Sequence, residues 1–154
     1  MTTSHPSSTP DKTMLTARVL GYGGALPFLG GAIASSQQIP ISGFAPAYLL
    51  LSYGAVILSF LGGLHWGRVI TCPDAVRRAG SAWLIWSVCP PLLSWMALLL
   101  PVKVSAVVLS LSFLAALKID QKLIQEQMWP AWMKSLRVHL SVIAVASLTS
   151  LIIS

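Results

Sequence analysis

The longest uncharged stretch of the chain runs from residue 19 to residue 67, which is 49 positions without Asp, Glu, Lys or Arg. Two further stretches, 79 to 102 and 138 to 154, are equally free of formal charge. A helix needs about 17 to 25 apolar residues to cross the hydrocarbon core of a bilayer, so each stretch has room for at least one crossing. We therefore expect lipid to surround much of this chain.

Composition agrees with that expectation. The 154 residues are 55% hydrophobic and 9% charged, against roughly 25% charged in soluble domains. A net charge of +6 would suggest a polyanionic partner in a soluble protein, but here the basic residues lie in short segments between apolar stretches. This distribution is typical of membrane topology signals, so we expect a lipid bilayer around the chain and no nucleic-acid partner.

The hydropathy pattern predicts an all-α fold, a polytopic transmembrane helix bundle with five spans. Residues 1–13 are rich in Ser, Thr and Pro and are expected to form a disordered tail. Residues 14–154 are expected to form a single transmembrane domain. Its predicted spans are about 15–34, 44–64, 79–100, 102–119 and 130–153.

Two of these spans contain residues that disturb a helix. The first carries several glycines and Pro27, so we expect it to be kinked. The third contains Cys89-Pro90-Pro91, where two missing backbone donors should bend the helix. The first span also resembles a signal peptide, because Lys12 and Arg18 are followed by an apolar stretch that ends in small residues, and the sequence leaves open whether it is retained or cleaved.

The basic residues predict the orientation. With five spans, Lys103 is the one Lys or Arg on one side of the membrane, and nine lie on the other. Positively charged segments stay inside, so the N-terminus is expected inside and the C-terminus outside. Five tryptophans fall near the same inner interface, as amphipathic indoles prefer. The nine basic residues are Lys12, Arg18, Arg68, Arg77, Arg78, Lys118, Lys122, Lys134 and Arg137, and the tryptophans are Trp66, Trp83, Trp86, Trp129 and Trp132.

Small residues recur every four positions along the second span, at Ala55, Ser59, Gly63 and Gly67. Each step turns only about 40° around a helix, so the four form one continuous helix-packing face. Close contact with another helix is one interpretation of this face. The other is a groove that accepts a lipid, a quinone or a partner subunit.

Five ionisable residues from three segments are predicted to lie at the inner ends of the second, fourth and fifth spans. They form a candidate inner polar cluster, in which Asp120 would face Arg137 or Arg68. The alternative is that the arginines contact lipid phosphates and the histidines lie among the head groups. The five residues are His65, Arg68, Asp120, Arg137 and His139.

Two of these residues, His65 and His139, are also candidate cofactor ligands, because imidazole binds haem iron and other metals. Trp66 and Trp132 are expected nearby. No two histidines have metal-binding spacing on one helix, and no cysteine pair has it either, so we predict no bound metal and leave the cofactor unknown.

Catalytic and transport signatures are weak. The sequence has no Gly-x-Ser-x-Gly, His-Glu-x-x-His or phosphate-binding loop, which favours a role other than catalysis. The middle of each span has no ionisable residue of the kind that coupled transporters use, and no internal repeat is evident.

The most specific motif is found in the second span, where Tyr53-Gly54-Ala55-Val56-Ile57-Leu58-Ser59-Phe60-Leu61-Gly62-Gly63 is followed by His65-Trp66-Gly67. This motif resembles the hallmark of the family called domain of unknown function 3429. Shorter matches to the family are Gly24, Pro27, Pro91, Asp120, Pro130, Trp132 and Arg137. The resemblance implies a small multi-helix protein of bacterial or mitochondrial inner membranes, and it implies no particular reaction or ligand.

Three functional hypotheses remain. The preferred one is an accessory or assembly partner of a larger inner-membrane complex, acting through the small face and the inner polar cluster, with a membrane-protein partner or a homo-oligomer. The second is a haem-, quinone- or lipid-binding membrane protein. The third is a small oligomeric pore or carrier.

Overall fold

The uncharged stretches form helices, as expected where no water is present to bond backbone groups. In this computed structural model, residues 9–40, 42–71, 81–125 and 129–153 are described. They form six helical segments without a β-strand. The segments are α1 (Thr9–Gly23), α2 (Leu26–Ser36), α3 (Pro46–Thr71), α4 (Ala82–Ala97), α5 (Val102–Gln125) and α6 (Met133–Ile153).

These segments confirm the all-α polytopic class. Helices α3, α5 and α6 are each long and apolar enough to cross a membrane, and so is Lys12–Ser36, which contains most of α1 and all of α2. Helix α4 is the shorter fifth apolar helix, and its 16 residues reach about 24 Å. It ends at Ala97, before the expected residue 100, because the chain turns ahead of Pro101 and a residue preceding proline disfavours the helical conformation.

The predicted kink in the first span is a break at Gly24 and Ala25, between α1 and α2. Pro27 lacks the N–H that would bond to the carbonyl of Gly23, so this hydrogen bond of the helical ladder is missing. The hydroxyl of Tyr53, on α3, donates to the carbonyl of Gly24 over 2.8 Å. A side chain from the central helix therefore satisfies a backbone group at the break.

Three helices extend beyond their predicted ends. Helix α1 begins at Thr9, so residues 9–13 of the expected disordered tail are helical, and residues 1–8 lie outside the described ranges. Proline is tolerated in a first helical turn, which makes Pro10 compatible with this start. Helices α3 and α5 continue to Thr71 and Gln125, because polar residues end the apolar stretch without ending the helix.

Helix α3 is the central element of the bundle. It contacts α2, α4, α5 and α6, and its most extensive contact is with α4. Helix α5 in turn packs most extensively against α6. The core between them is built mostly from aliphatic and small side chains, with Leu58, Leu109 and Leu148 fully buried and Phe113 among them.

Among the described glycines, the tightest contact lies between α3 and α4, at Gly62. A Cβ added there would lie 2.3 Å from the Ser87 carbonyl oxygen and 2.8 Å from Cδ of Pro91. The Ser87 carbonyl is the group that the missing N–H of Pro91 would have bonded, so proline frees this oxygen and glycine lets α3 approach it.

The outer surface is apolar. Large hydrophobic side chains are exposed on every helix, for example Leu20, Val56, Leu92, Leu111 and Val142. Apolar exposure this extensive is unfavourable in water and is the expected surface in lipid. The fold is therefore that of a membrane helix bundle.

Candidate functional site

A buried ionic cluster joins three helices. Asp120 of α5 accepts a hydrogen bond from Nε of Arg137 on α6 over 2.5 Å, through its Oδ2 oxygen. Its other oxygen, Oδ1, lies 2.7 Å from Nε2 of His65 on α3. The exposed fractions of His65, Asp120 and Arg137 are 2%, 1% and 7%. We call these three residues the ionic triad.

The triad lies near one edge of the membrane. His65 is 19 residues beyond Pro46, about 28 Å along α3, and Asp120 is 18 residues into α5, about 27 Å. Arg137 is in the first turns of α6, which runs in the opposite direction. The hydrocarbon core is ~30 Å thick, so all three residues reach the same boundary.

Desolvation makes the partners in this cluster depend on one another. A buried charge without a partner is strongly unfavourable, and removing one partner of a buried pair typically costs about 3–5 kcal/mol. Both oxygens of Asp120 are engaged, one by each neighbour. The triad therefore fixes the relative positions of α3, α5 and α6 at this boundary.

Trp129 covers the histidine of the triad. Its ring packs edge-on against His65, with centroids 5.7 Å apart and an interplanar angle of 69°. Its indole Nε1 and the Nδ1 of His65 are both buried, and neither has a hydrogen-bond partner among the described residues. The sequence predicts Trp129 at the membrane interface but does not indicate this contact, because the tryptophan precedes Pro130 and has no helical periodicity.

The other two members of the predicted inner polar cluster are not in the triad. His139 is exposed, and its Nδ1 lies 2.9 Å from the hydroxyl of Tyr22 on α1. Arg68 is half-buried and lies at the same boundary, on the last turns of α3. His65 thus faces the bundle and contacts Asp120. The alternative interpretation had placed the histidines among the head groups.

The two candidate cofactor ligands do not form a pair. His65 directs Nε2 to Asp120, whereas His139 directs Nδ1 to Tyr22, on a different side of the bundle. In the described ranges no group of three or more His, Cys, Asp or Glu side chains converges as a metal site. The geometry therefore does not favour haem ligation by this pair of histidines.

The small face of α3 is only partly internal. Ala55 is buried, but Ser59 and Gly63 are exposed, and a Cβ added at Gly63 or Gly67 would meet no described atom within 4 Å. The internal helix contact occurs at Gly62, about 100° around the helix from Gly63. The four-residue spacing predicts one continuous helix-packing face, of which Ala55 alone is buried, and the close contact with α4 lies on the neighbouring face, at Gly62.

Beside this smooth face is a wide groove of about 660 Å³. Its lining includes Gly63 and Gly67, the C-terminal end of α3 and part of the segment after α5. The lining residues are Gly63, Leu64, Gly67, Arg68, Thr71, Trp129 and Pro130. We call it the Gly63 groove.

A second concavity, of about 370 Å³, lies between the α1–α2 break, α3 and α6. Its walls are almost entirely apolar and include Phe28, Ile57 and Leu140. Leu20 and Phe60, which also line it, are among the exposed hydrophobic residues, so the opening faces the surrounding lipid. We call it the lateral cleft.

The lateral cleft reaches the ionic triad through Arg137. Arg137 and Ser141, one turn apart on α6, are the polar side chains in its lining. The Nη2 of Arg137 lies against Oδ2 of Asp120 without hydrogen-bond geometry, and it is buried with no hydrogen-bond partner among the described residues. His65 and Asp120 are absent from the lining, so the guanidinium separates the carboxylate from the cleft.

Basic residues cluster around this end of the bundle. The guanidinium of Arg18 lies 5.9 Å from the ring centroid of Trp132, which lines the cleft. Lys122 lies 5.7 Å from the ring of Trp83. Cations held over tryptophan faces are typical of the interfacial region. We call this the basic end of the bundle.

The fold and this site define a polytopic membrane protein with a buried ionic triad beside a cleft open to lipid. The chain belongs to the family described as Protein of unknown function (DUF3429), whose model matches residues 14–153. This confirms the resemblance found in the second-span motif.

Two curated relatives are named Transmembrane protein 69. The one from Xenopus tropicalis is 34% identical over 143 residues, which is 90% of this chain and 54% of the relative. The one from Mus musculus is 27% identical over 132 residues, 80% of this chain and 50% of the relative. The chain thus spans about half the length of the curated relatives it matches. No solved structure matches it.

Proposed function

We propose that the protein binds a membrane amphiphile, a lipid or a quinone, by taking the apolar chain of the ligand into the lateral cleft. The observation that carries this proposal is the cleft itself, about 370 Å³ of apolar space that opens towards lipid between three parts of the bundle. Its volume lies in the range of small-molecule sites, which is roughly 300–1,000 Å³.

Selectivity in such a site must come from shape and from polar contacts. Lipid tails are as apolar as the cleft walls, so an apolar chain gains little hydrophobic free energy by entering. It gains instead the dispersion contacts of a fitted cavity and any polar contact at the cleft's end. Arg137 is the charged side chain available there.

A matched pair of variants on α6 tests the proposal. Leu140 lines the cleft and Val142, two residues further along, is exposed outside it. Leu140→Trp should fill the cleft and reduce the amount of co-purified lipid or quinone several-fold, whereas Val142→Trp adds the same ring on the lipid-facing surface. Mass spectrometry of organic extracts and an absorption spectrum identify the ligand. Equal ligand content in the two variants and the wild type would refute the proposal.

A second candidate function is that of an accessory or assembly partner of a larger membrane complex. The exposed small face at Ser59 and Gly63, beside the Gly63 groove, favours it, because small residues let a helix from another chain approach closely. Gly63→Leu should weaken recovery of a stoichiometric membrane partner in mild detergent without preventing insertion. Gly30→Leu is the control, since Gly30 of α2 also has no described atom within 4 Å of an added Cβ. Unchanged recovery with Gly63→Leu would count against this candidate.

We propose an inner membrane, bacterial or mitochondrial, as the location, with the N-terminus and the basic end inside. The support is the nine-to-one distribution of Lys and Arg between the two sides of a five-helix topology. Single cysteines at Ile70 and Val104, introduced separately into a chain lacking Cys72 and Cys89, should react with a membrane-impermeant maleimide from opposite sides. Labelling of both from one side would exclude this topology.

A further inference from the structure

This inference rests on the proposed function and deepens it. We infer that the ligand of the lateral cleft is an anionic amphiphile, with a phosphate or carboxylate head group bound by the guanidinium of Arg137 and its apolar chain lying along the cleft.

The hydrogen bonds of Arg137 leave part of its guanidinium available to a ligand. A guanidinium has five N–H donors, and it does not lose its charge. Its Nε donates to Oδ2 of Asp120, and Nη2 lies against the same oxygen as an ion pair. Nη1, on the other edge of the guanidinium, makes no hydrogen bond with a described residue, and the residue is only 7% exposed. Arg137 lines the cleft and buried donors are normally paired, so an acceptor for the N–H groups that face away from Asp120 is expected there.

The distribution of charge around the cleft favours an anion. Asp120 is the acidic partner in the triad, but its oxygens are occupied by His65 and Arg137 and it does not line the cleft. No Asp or Glu is found among the lining residues of the cleft. An anion entering the cleft would therefore meet the guanidinium and would be shielded from the carboxylate behind it.

A second cationic side chain, that of Arg18, lies near the same opening. Arg18 lies 5.9 Å from the ring centroid of Trp132, and Trp132 lines the cleft close to Met133. Two arginines near one apolar opening complement a negative head group more closely than a neutral one. The apolar wall, running from Leu136 and Leu64 to Phe28, complements a hydrocarbon chain.

The experiment compares ligands that differ only in the head group. The full-length protein in neutral detergent is mixed with lysophosphatidate and with monoacylglycerol of the same acyl chain, and bound ligand is measured by native mass spectrometry. Charge-assisted hydrogen bonds predict that lysophosphatidate binds about 10-fold or more tightly. Glycerol 3-phosphate, which has the head group without the chain, should neither bind nor compete.

Two variants separate the contributions of head and chain. Arg137→Lys keeps a positive charge beside Asp120 but loses the planar fork, and it should reduce the preference for lysophosphatidate several-fold. Leu140→Trp should abolish binding of both amphiphiles. Val142→Trp is the control on the same helix and should bind both as the wild type does.

The possible results distinguish failure of the anionic head group from failure of the proposed function. Equal binding of the two amphiphiles, with loss of both in Leu140→Trp, would overturn the anionic head group and leave the proposed function standing. Strong competition by glycerol 3-phosphate would also overturn the inference, because the head alone would suffice. Equal binding of both amphiphiles by the wild type and by Leu140→Trp would refute the proposed function itself. Because the wild-type comparison needs no variant, misfolding of Arg137→Lys does not remove the test.

Discussion

Gly62 and Gly63 are neighbours on α3, yet they lie in opposite environments. Gly62 faces the Ser87 carbonyl of α4 so closely that a methyl group has no space, whereas Gly63 faces no described atom within 4 Å. The comparison shows that a small residue in a membrane helix marks a surface that another helix is able to approach. Which surface is used depends on the partner, here on the carbonyl that Pro91 leaves unbonded.

The same helix shows the contrast for polar side chains. His65, on the packed side, is held by Asp120 of α5, and Trp129 covers its ring. Gly67 lies about half a turn beyond His65 and Arg68 nearly a full turn beyond it, and both line the open Gly63 groove. One side of α3 thus holds the bundle together, and the other is available to molecules outside the chain.

The largest loss of stability is expected from Asp120→Asn, because the charge of Arg137 would remain buried without its carboxylate. Removing one member of such a pair costs about 3–5 kcal/mol. The free energy of unfolding in mixed detergent and SDS micelles measures this loss. The double variant Asp120→Asn/Arg137→Gln should lose less than the sum of the single changes. Wild-type stability of Asp120→Asn would show that the triad does not form.

The next effect separates the two glycines. Gly62→Ala places a methyl group against a backbone oxygen that has little freedom to move, and overpacking of this kind costs about 1–3 kcal/mol. Gly63→Ala should change the unfolding free energy by less than about 0.5 kcal/mol. The same SDS titration measures both. Equal effects at the two positions would contradict the assignment of the internal contact to Gly62.

A smaller effect is expected from Tyr53→Phe, which removes the hydroxyl that donates to the Gly24 carbonyl at the break between α1 and α2. Hydrogen bonds between membrane helices contribute about 0.6 kcal/mol on average. Hydrogen exchange of the amides around the break should increase in this variant, and exchange in α5 serves as the internal control. Unchanged exchange at the break would show that the hydroxyl does not hold it.

The smallest effect is expected from Tyr22→Phe. The bond between Tyr22 and His139 has the same kind of donor as that of Tyr53, but both of its residues are exposed. We expect a change below about 0.5 kcal/mol in unfolding free energy, because exposed polar groups find other partners. A loss as large as that of Asp120→Asn would place a structural role at this pair and weaken the special status of the triad.

Much of the fold followed from the sequence because lipid imposes a composition on every spanning helix. The class and the order of the five apolar helices were predictable for that reason. The helix ends were less predictable, because hydropathy marks the edge of the hydrocarbon core and not the end of a helix. Helices α3 and α5 continue past that edge to Thr71 and Gln125. The start of α1 at Thr9 has the same explanation, since a polar segment is able to extend a helix.

The candidate site was predictable in its residue types and not in its geometry. His65, Asp120 and Arg137 were named as candidates because ionisable groups at an apolar boundary are unusual. Their separation from His139 depends on which way each side chain points, and a shift of one residue turns a helix position by 100°. The lateral cleft depends on residues from α1, α2, α3, α5 and α6, which no single periodicity connects.

The central claim is that Asp120 holds Arg137 at the basic end of a cleft that receives an anionic amphiphile. A crystal structure of the protein grown from a lipid mesophase containing lysophosphatidate tests it most directly. We expect elongated density in the lateral cleft that ends within hydrogen-bond distance of Arg137, with Arg137 still paired to Asp120. A cleft filled by the side chains of Leu64 and Leu140, or an Arg137 turned away from Asp120 into the head-group region, would contradict the claim.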